Sequence, residues 1–243
     1  MQSILTYVVL IGLGLLPSLI WLAYWIRKDC HPEPKVMLTK VLLLGIMLSP
    51  LAIILQLLFV QYVAQFLGLD PAVLADSPWF FLWAALVEEM VKYLAVYFVV
   101  LRSPEFDEPV DAMIYMLTAA MGFAAMENIL VINKVITDGL VATLSIWGLR
   151  FAGATLLHAL SSALLGYFIA MAWFYFRHRK ALFVAGLSLA TVFHWVFNLF
   201  ISQMRQSSSL LFSTLLLMAM AFLISALFDK IKERDALIRG NTC

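Results

Sequence analysis

The sequence predicts an all-α fold, a polytopic transmembrane helix bundle of about seven spans with its N-terminus outside and its C-terminus in the cytoplasm. Three observations carry this. The 243-residue chain is 64% hydrophobic and 13% charged, whereas soluble domains average about 45–50% apolar and about 25% charged. The apolar residues fall into runs near the roughly 20 residues that cross a hydrocarbon core of about 30 Å. Those runs are continuously apolar. Strands of a membrane barrel would alternate in polarity over segments of about 10 residues, and a helix satisfies its own backbone hydrogen bonds in lipid.

The first run, 4–26, lacks a basic flank and a small-residue cleavage site, so it is expected to be retained as a helix rather than removed as a signal peptide. The other spans are expected at 41–66, 79–101, 111–132, 150–176, 181–203 and 209–228, joined by short polar connectors. LVATLSIWGL (140–149) is too short to count as an eighth span. The charged tail, about 229–243, reads as a short cytoplasmic surface helix, and residues 1–243 as one integral membrane domain with a four-helix core over about 79–203. With seven spans, twelve Lys and Arg residues fall on one side and three (Lys134, Arg150, Arg205) on the other. The basic side is expected to be cytoplasmic.

Net charge is +1, and no basic patch is interleaved with aromatics, so nucleic acid is not an expected partner. Cys30 and Cys243 stand in no CxxC or zinc-ligand spacing. Membrane lipid is the expected surroundings.

The informative residues are those that lipid should exclude. A charge at the bilayer centre costs about 2.5–3.5 kcal/mol on insertion scales. Yet Glu88, Glu89 and Lys92 interrupt the third span, Glu127 and Asn128 the fourth, His158 the fifth, and His194 and Asn198 the sixth. Counted at about 1.5 Å per residue from the expected outer ends, Glu88, Glu127, His158 and His194 lie roughly 14, 8, 12 and 11 Å deep. Four helices of alternating direction therefore carry ionisable groups at similar depth, the pattern of one polar site. Glu88 and Lys92 are spaced i,i+4 in the favoured order for a pair. Phe123 shares a face with Glu127, and His194 shares one with Asn198. Gly122, Ala124, Ala125, Gly153, Ala154, Ala159, Ser161, Ser162 and Gly166 would let these helices approach closely.

A carboxylate in such a site can act as a general base toward water, and imidazole or amide groups can stabilise an oxyanion. Amide hydrolysis then needs no serine or cysteine nucleophile. The same groups, Glu88, Glu127, His158 and His194, are candidate ligands for a divalent metal such as zinc, although no HExxH is present. Two other readings compete: a non-catalytic membrane module that binds and stabilises a partner, and a proton-coupled transporter. Transport is disfavoured because no inverted repeat is visible. His31 and His178 lie in connectors and are expected to be solvated.

These motifs, in order, resemble the PrsW family of bacterial intramembrane proteases, in the larger group that includes type II CAAX prenyl endopeptidases. The likeness runs from about Tyr24 to Asn198: YWIRKDCHPEPK, the EExxK of Glu88, Glu89 and Lys92, EFDEPVDAMIYMLTAAMGFAAMEN ending in FxxxEN, HALSSALLGY with His158 and Gly166, and the HxxxN of His194 and Asn198. Ala112 stands where the family pattern has Gly. The resemblance implies a multi-pass protease of the bacterial cell membrane that cuts single-span membrane proteins, in some members anti-sigma factors. It implies Glu88 as the water-activating base. Glu89, His158, His194 and Asn198 complete the expected catalytic set, with Lys92, Phe123, Glu127 and Asn128 in support. Glu89 either holds Lys92 or completes a metal shell. Zinc hydrolysis and metal-free glutamate catalysis both remain open, as do the substrate, the cleavage position and the oligomeric state.

Overall fold

The computed structural model describes residues 4–202 and 207–239, and among these every regular element is helical. In chain order they are α1 (Ile4–Trp25), α2 (Lys35–Leu67), the short α3 (Pro71–Ala75), α4 (Pro78–Val99), α5 (Asp111–Val135), α6 (Leu140–Leu149), α7 (Thr155–Phe174), α8 (Arg179–Ser202) and α9 (Ser207–Arg239). Arg205 and the tail residues 240–243 lie outside the described residues. Six helical segments are long and apolar enough to cross a membrane. The remaining long helix, α4, has 22 residues, and Glu88, Glu89 and Lys92 set it apart from those six. Large apolar side chains cover the outside, Phe66 and Leu237 at 87% exposure among them.

Local chemistry explains the boundaries. Asp70 caps α3 by accepting from Ala72 N, with Pro71 at the first position. Ser77 caps α4 by accepting from Phe80 N, again with Pro at the first position. Gly68, at φ 65°, ends α2 in the left-handed conformation that lacks a Cβ penalty. At the other end of α4, the Asp111 carboxylate accepts from the backbone N–H of Asp107 and Glu108, which orders the 100–110 connector. That connector meets the one after α1: His31 Nδ1 lies 3.0 Å from Glu108, and Tyr115 donates to Glu33. Burial pushes the Asp29 carboxyl up to about 6, and burial likewise raises Glu33.

Several helices outrun their expected spans. α2 begins at Lys35 rather than 41, and α9 continues unbroken through the charged tail. At about 50 Å, these 33-residue helices exceed the hydrocarbon thickness, so their charged ends can leave it while the helix persists. The segment 140–149, too short to span alone, is helical and joins α7 through a π-turn at Arg150–Ala154. Arg150 therefore starts no helix, and the depth counted from it is a distance along a longer helix.

At the centre stands α5, buried along most of its length and packed on α1, α2, α4 and α7. Close crossings seat it. A Cβ on Gly122 would lie 2.0 Å from Leu42 O, one on Gly45 would lie 2.3 Å from Ala119 O, and one on Gly166 would lie 2.7 Å from Ala112 O. α4 and α8 pack together beside α7, which turns the polar faces of α4, α5, α7 and α8 toward one another.

Candidate active site

The four helices bring Glu88, Glu89, Lys92, Glu127, Asn128, His158 and His194 into one network. Glu89 is fully buried and accepts from four donors: Lys92 Nζ at 2.8 Å, Ser161 Oγ at 2.9 Å, Ser162 Oγ at 2.7 Å and His194 Nδ1 at 2.9 Å. The ion pair of Lys92 is thus with Glu89, one of the two roles expected for that residue, and not with Glu88 as the i,i+4 spacing suggested. Lys92 Nζ also sits 2.8 Å from His158 Nδ1 and 4.9 Å from the centre of the Phe123 ring.

Glu88 differs from its neighbour in every respect except burial. Its Oε1 accepts from Gln56 Nε2 at 3.0 Å, while its Oε2 is buried without a hydrogen-bond partner. That oxygen lies 3.5 Å from His194 Nε2 and 3.9 Å from His158 Nδ1. The two imidazoles meet edge to face, 5.1 Å between centres.

Each imidazole has a carboxylate on its far nitrogen: Glu89 on His194 Nδ1, and Glu127 on His158 Nε2, both at 2.9 Å. Those carboxylates fix the tautomers, because a carboxylate requires an N–H opposite it. The nitrogens turned toward Glu88 therefore carry lone pairs. His158 Nδ1 accepts from Lys92 Nζ, which leaves the His194 Nε2 lone pair facing the donorless Glu88 Oε2, and in a buried site such acceptors repel unless a proton or a cation lies between them. Glu88, His158 and His194 each offer a ligand atom within 4.8 Å of the others, a group that fits a metal ion. Histidine with a carboxylate on its second nitrogen is the usual arrangement around metals. Glu127, a candidate ligand from sequence, stands behind His158 instead.

Arg150 completes the rear of the site. Its Nη2 donates to Glu127 Oε2 at 2.8 Å, and its Nε donates to Asn128 Oδ1. Asn128 in turn donates to Thr155 Oγ1 and Gly14 O, tying the site to α1. Arg150 and Gln56 are the functional candidates that sequence reasoning missed. Gln56 had a signal, an amide deeper in the apolar run of α2 than Gln61 and Gln65 near its end. Asn198 lies one turn beyond His194, half-buried, and makes no side-chain hydrogen bond among the described residues. His31 and His178 lie outside the network.

The sequence profile described as PrsW family intramembrane metalloprotease matches residues 33–227. The chain belongs to the PrsW family. It is 32% identical over 190 residues to Protease PrsW of Geobacillus kaustophilus strain HTA426, covering 78% of each chain. Protease PrsW of Oceanobacillus iheyensis is 27% identical over 189 residues, 78% of this chain and 81% of that one. Protease PrsW of Clostridioides difficile strain 630 is 30% identical over 191 residues, 76% of each. No solved structure matches. As a PrsW family member the chain is an intramembrane peptidase, a multi-pass protein of the bacterial membrane.

Proposed function

We propose that this chain is an endopeptidase that hydrolyses single-span membrane proteins at the Glu88–His158–His194 cluster, close to the outer face of the membrane. The observation that carries the reading is the partnerless, buried Glu88 Oε2 facing the His194 Nε2 lone pair at 3.5 Å, with His158 Nδ1 3.9 Å away. In this reading Glu88, His158 and His194 hold a divalent metal, with zinc suited to a nitrogen and carboxylate donor set. Bound there, zinc would supply Lewis-acid polarisation and lower the pKa of water.

The protein's own groups do the rest. Gln56 holds Glu88 Oε1 and so fixes the carboxylate plane, leaving Oε2 to ligate the metal or, where no metal is held, to receive the proton of the attacking water. Glu89 and Glu127 are positioning residues that keep the lone pairs of His194 and His158 aimed at Glu88. Lys92 neutralises Glu89 and steadies His158. Asn198, unengaged and on the face of His194, donates to the scissile carbonyl as it gains negative charge. The family resemblance points to anti-sigma factors as one substrate class, cut at their first site.

One contact favours a metal-free variant of the same chemistry: Lys92 Nζ already occupies the lone pair of His158 Nδ1. Purified protein in vesicles with a single-span substrate separates the readings. Glu88→Gln should lower cleavage by about 10²–10⁴-fold, the usual weight of a general base, and His194→Ala should abolish it, both with insertion intact. Chelation should stop the wild type and zinc should restore it. Cleavage that persists in metal-free protein assigns Glu88 to catalysis without a metal. A partner-stabilising phenotype that survives both substitutions would make the chain a binding module.

A further inference from the structure

A cavity of about 950 Å³, apart from the polar network, opens between the C-terminal ends of α4 and α7 and the N-terminal end of α8. None of Glu88, Glu89, Lys92, Glu127, His158 and His194 lines it. It lies at the end of the bundle where the α1–α2 and α4–α5 connectors meet. Its volume reaches the top of the roughly 300–1,000 Å³ range of small-molecule sites.

Its walls are apolar and aromatic. Tyr93 of α4 packs on Phe183 of α8, ring centres 4.5 Å apart, and Phe106 meets Trp173 edge to face at 5.1 Å. Phe176 and Val184 line it while remaining 65% and 61% exposed. Its mouth is cationic. Arg179 and Lys180 line it, and Arg102 joins them through Tyr97, a lining residue to whose hydroxyl it donates. Among the described residues none of these three cations forms an ion pair with a carboxylate, whereas Glu108 of the neighbouring connector is engaged by His31. Two of the guanidiniums are held against rings, Arg102 4.4 Å from Tyr97 and Arg179 4.3 Å from Phe176. Stacking fixes the plane of a guanidinium while leaving N–H groups free for a two-pronged grip on phosphate.

An apolar cleft between membrane-length helices, with exposed apolar lining and cations at one end that form no ion pair among the described residues, is complementary to one kind of molecule. We propose that the cavity binds an anionic glycerophospholipid, one acyl chain filling the aromatic cleft and the phosphate held by Arg102, Arg179 and Lys180. The bound lipid bridges α4, α7 and α8, and Tyr93 follows Lys92 directly on α4, so the occupied cleft braces the helices that carry the polar network.

Phosphatidylglycerol and phosphatidylcholine of identical chains are the probes, offered at equal ratio to the detergent-purified full-length protein, with retained lipid counted by native mass spectrometry. The wild type should retain phosphatidylglycerol in preference to phosphatidylcholine. Arg102→Gln, Arg179→Gln and Lys180→Gln combined should reduce that retention by about tenfold or more, from the weight of each cation near anionic lipid. Arg27→Gln with Lys28→Gln, at the same end of the bundle but outside the cavity, should leave it unchanged. Ala172→Trp, which fills the cleft, should reduce it without removing a charge. Equal retention of both lipids, an undiminished level in the triple variant, or an equal loss in the Arg27 and Lys28 control overturns the proposal. A dimer that phosphatidylglycerol does not displace and that Ala172→Trp disperses would assign the cleft to a second copy of the chain instead.

Discussion

Arg150 has two donors on two adjacent side chains, Glu127 and Asn128, and Glu127 in turn holds His158. Arg150 and His158 are eight residues apart, which on a regular α-helix turns them about 80° from one another. The extra residue in the π-turn reduces the effective spacing to seven, and both then face Glu127. Bulges of this kind recur at functional sites. Removing a group that orients a site's own ligands typically costs 10–100-fold in activity or metal affinity. Arg150→Ala is therefore expected to lower cleavage by about that factor with insertion unchanged. Arg150→Lys should recover only part, because an ammonium cannot reproduce two donors in one plane. Full activity in Arg150→Ala would remove it from the site. Sequence reading places Arg150 at an outer helix end because 140–149 is too short to span a membrane by itself. Spacing alone leaves Lys92 a choice between Glu88 at i,i+4 and Glu89 at i,i+3, and only the serine and imidazole donors around Glu89 decide between them.

Among the helices, α5 is positioned by how closely its backbone approaches its neighbours. The pattern of small residues named Gly122, Gly153 and Gly166 alike, but composition does not say which of them meets backbone. The structure separates them. A Cβ at Gly122 would collide with the carbonyl of Leu42, while one at Gly153 would meet only Phe197 Cζ at an ordinary 3.6 Å. Backbone cannot yield as a flexible side chain can, so overpacking there costs about 1–3 kcal/mol or more. Gly122→Ala is expected to lower the melting temperature in detergent and to loosen the site, because Phe123 and Glu127 ride on the same helix. Gly153→Ala should leave both within experimental error. Similar melting temperatures for the two variants would show that the α2–α5 crossing bears no such constraint. The all-helical fold was readable from the apolar runs alone. The true helix lengths were not, because apolar segments such as 140–149 continue helices without spanning anything themselves.

In the molecule as a whole, the polar network is nearer one end of the bundle than the other. Glu127 and His194 lie about 12 Å from the ends of their helices at Val135 and Ser202, and about 22–24 Å from the opposite ends. Glu88 is close to midway along α4. The opposite end carries the connectors joined through His31 and Glu108, together with most of the Lys and Arg residues outside the site. The charge bias makes that end the expected cytoplasmic one, and on that expectation the site belongs toward the outer leaflet. A substrate helix must release its backbone before hydrolysis, and the end of a span does so more readily than its centre because its terminal groups lack intrahelical partners. Cleavage is therefore expected in the substrate's outer juxtamembrane segment or its first outer turns, leaving a membrane stub. Helix-breaking residues at the outer end of the substrate should accelerate the reaction, and the same residues at the cytoplasmic end should not. Two measurements check this independently: mass spectrometry of the product termini, and labelling of Ala181→Cys with an impermeant thiol reagent in intact cells. Ala181 sits at the start of α8, on the basic end, and should be protected. Labelling of Ala181→Cys from outside would invert the molecule, whereas protection combined with a cut in the cytoplasmic half would keep the orientation and refute the placement of the chemistry.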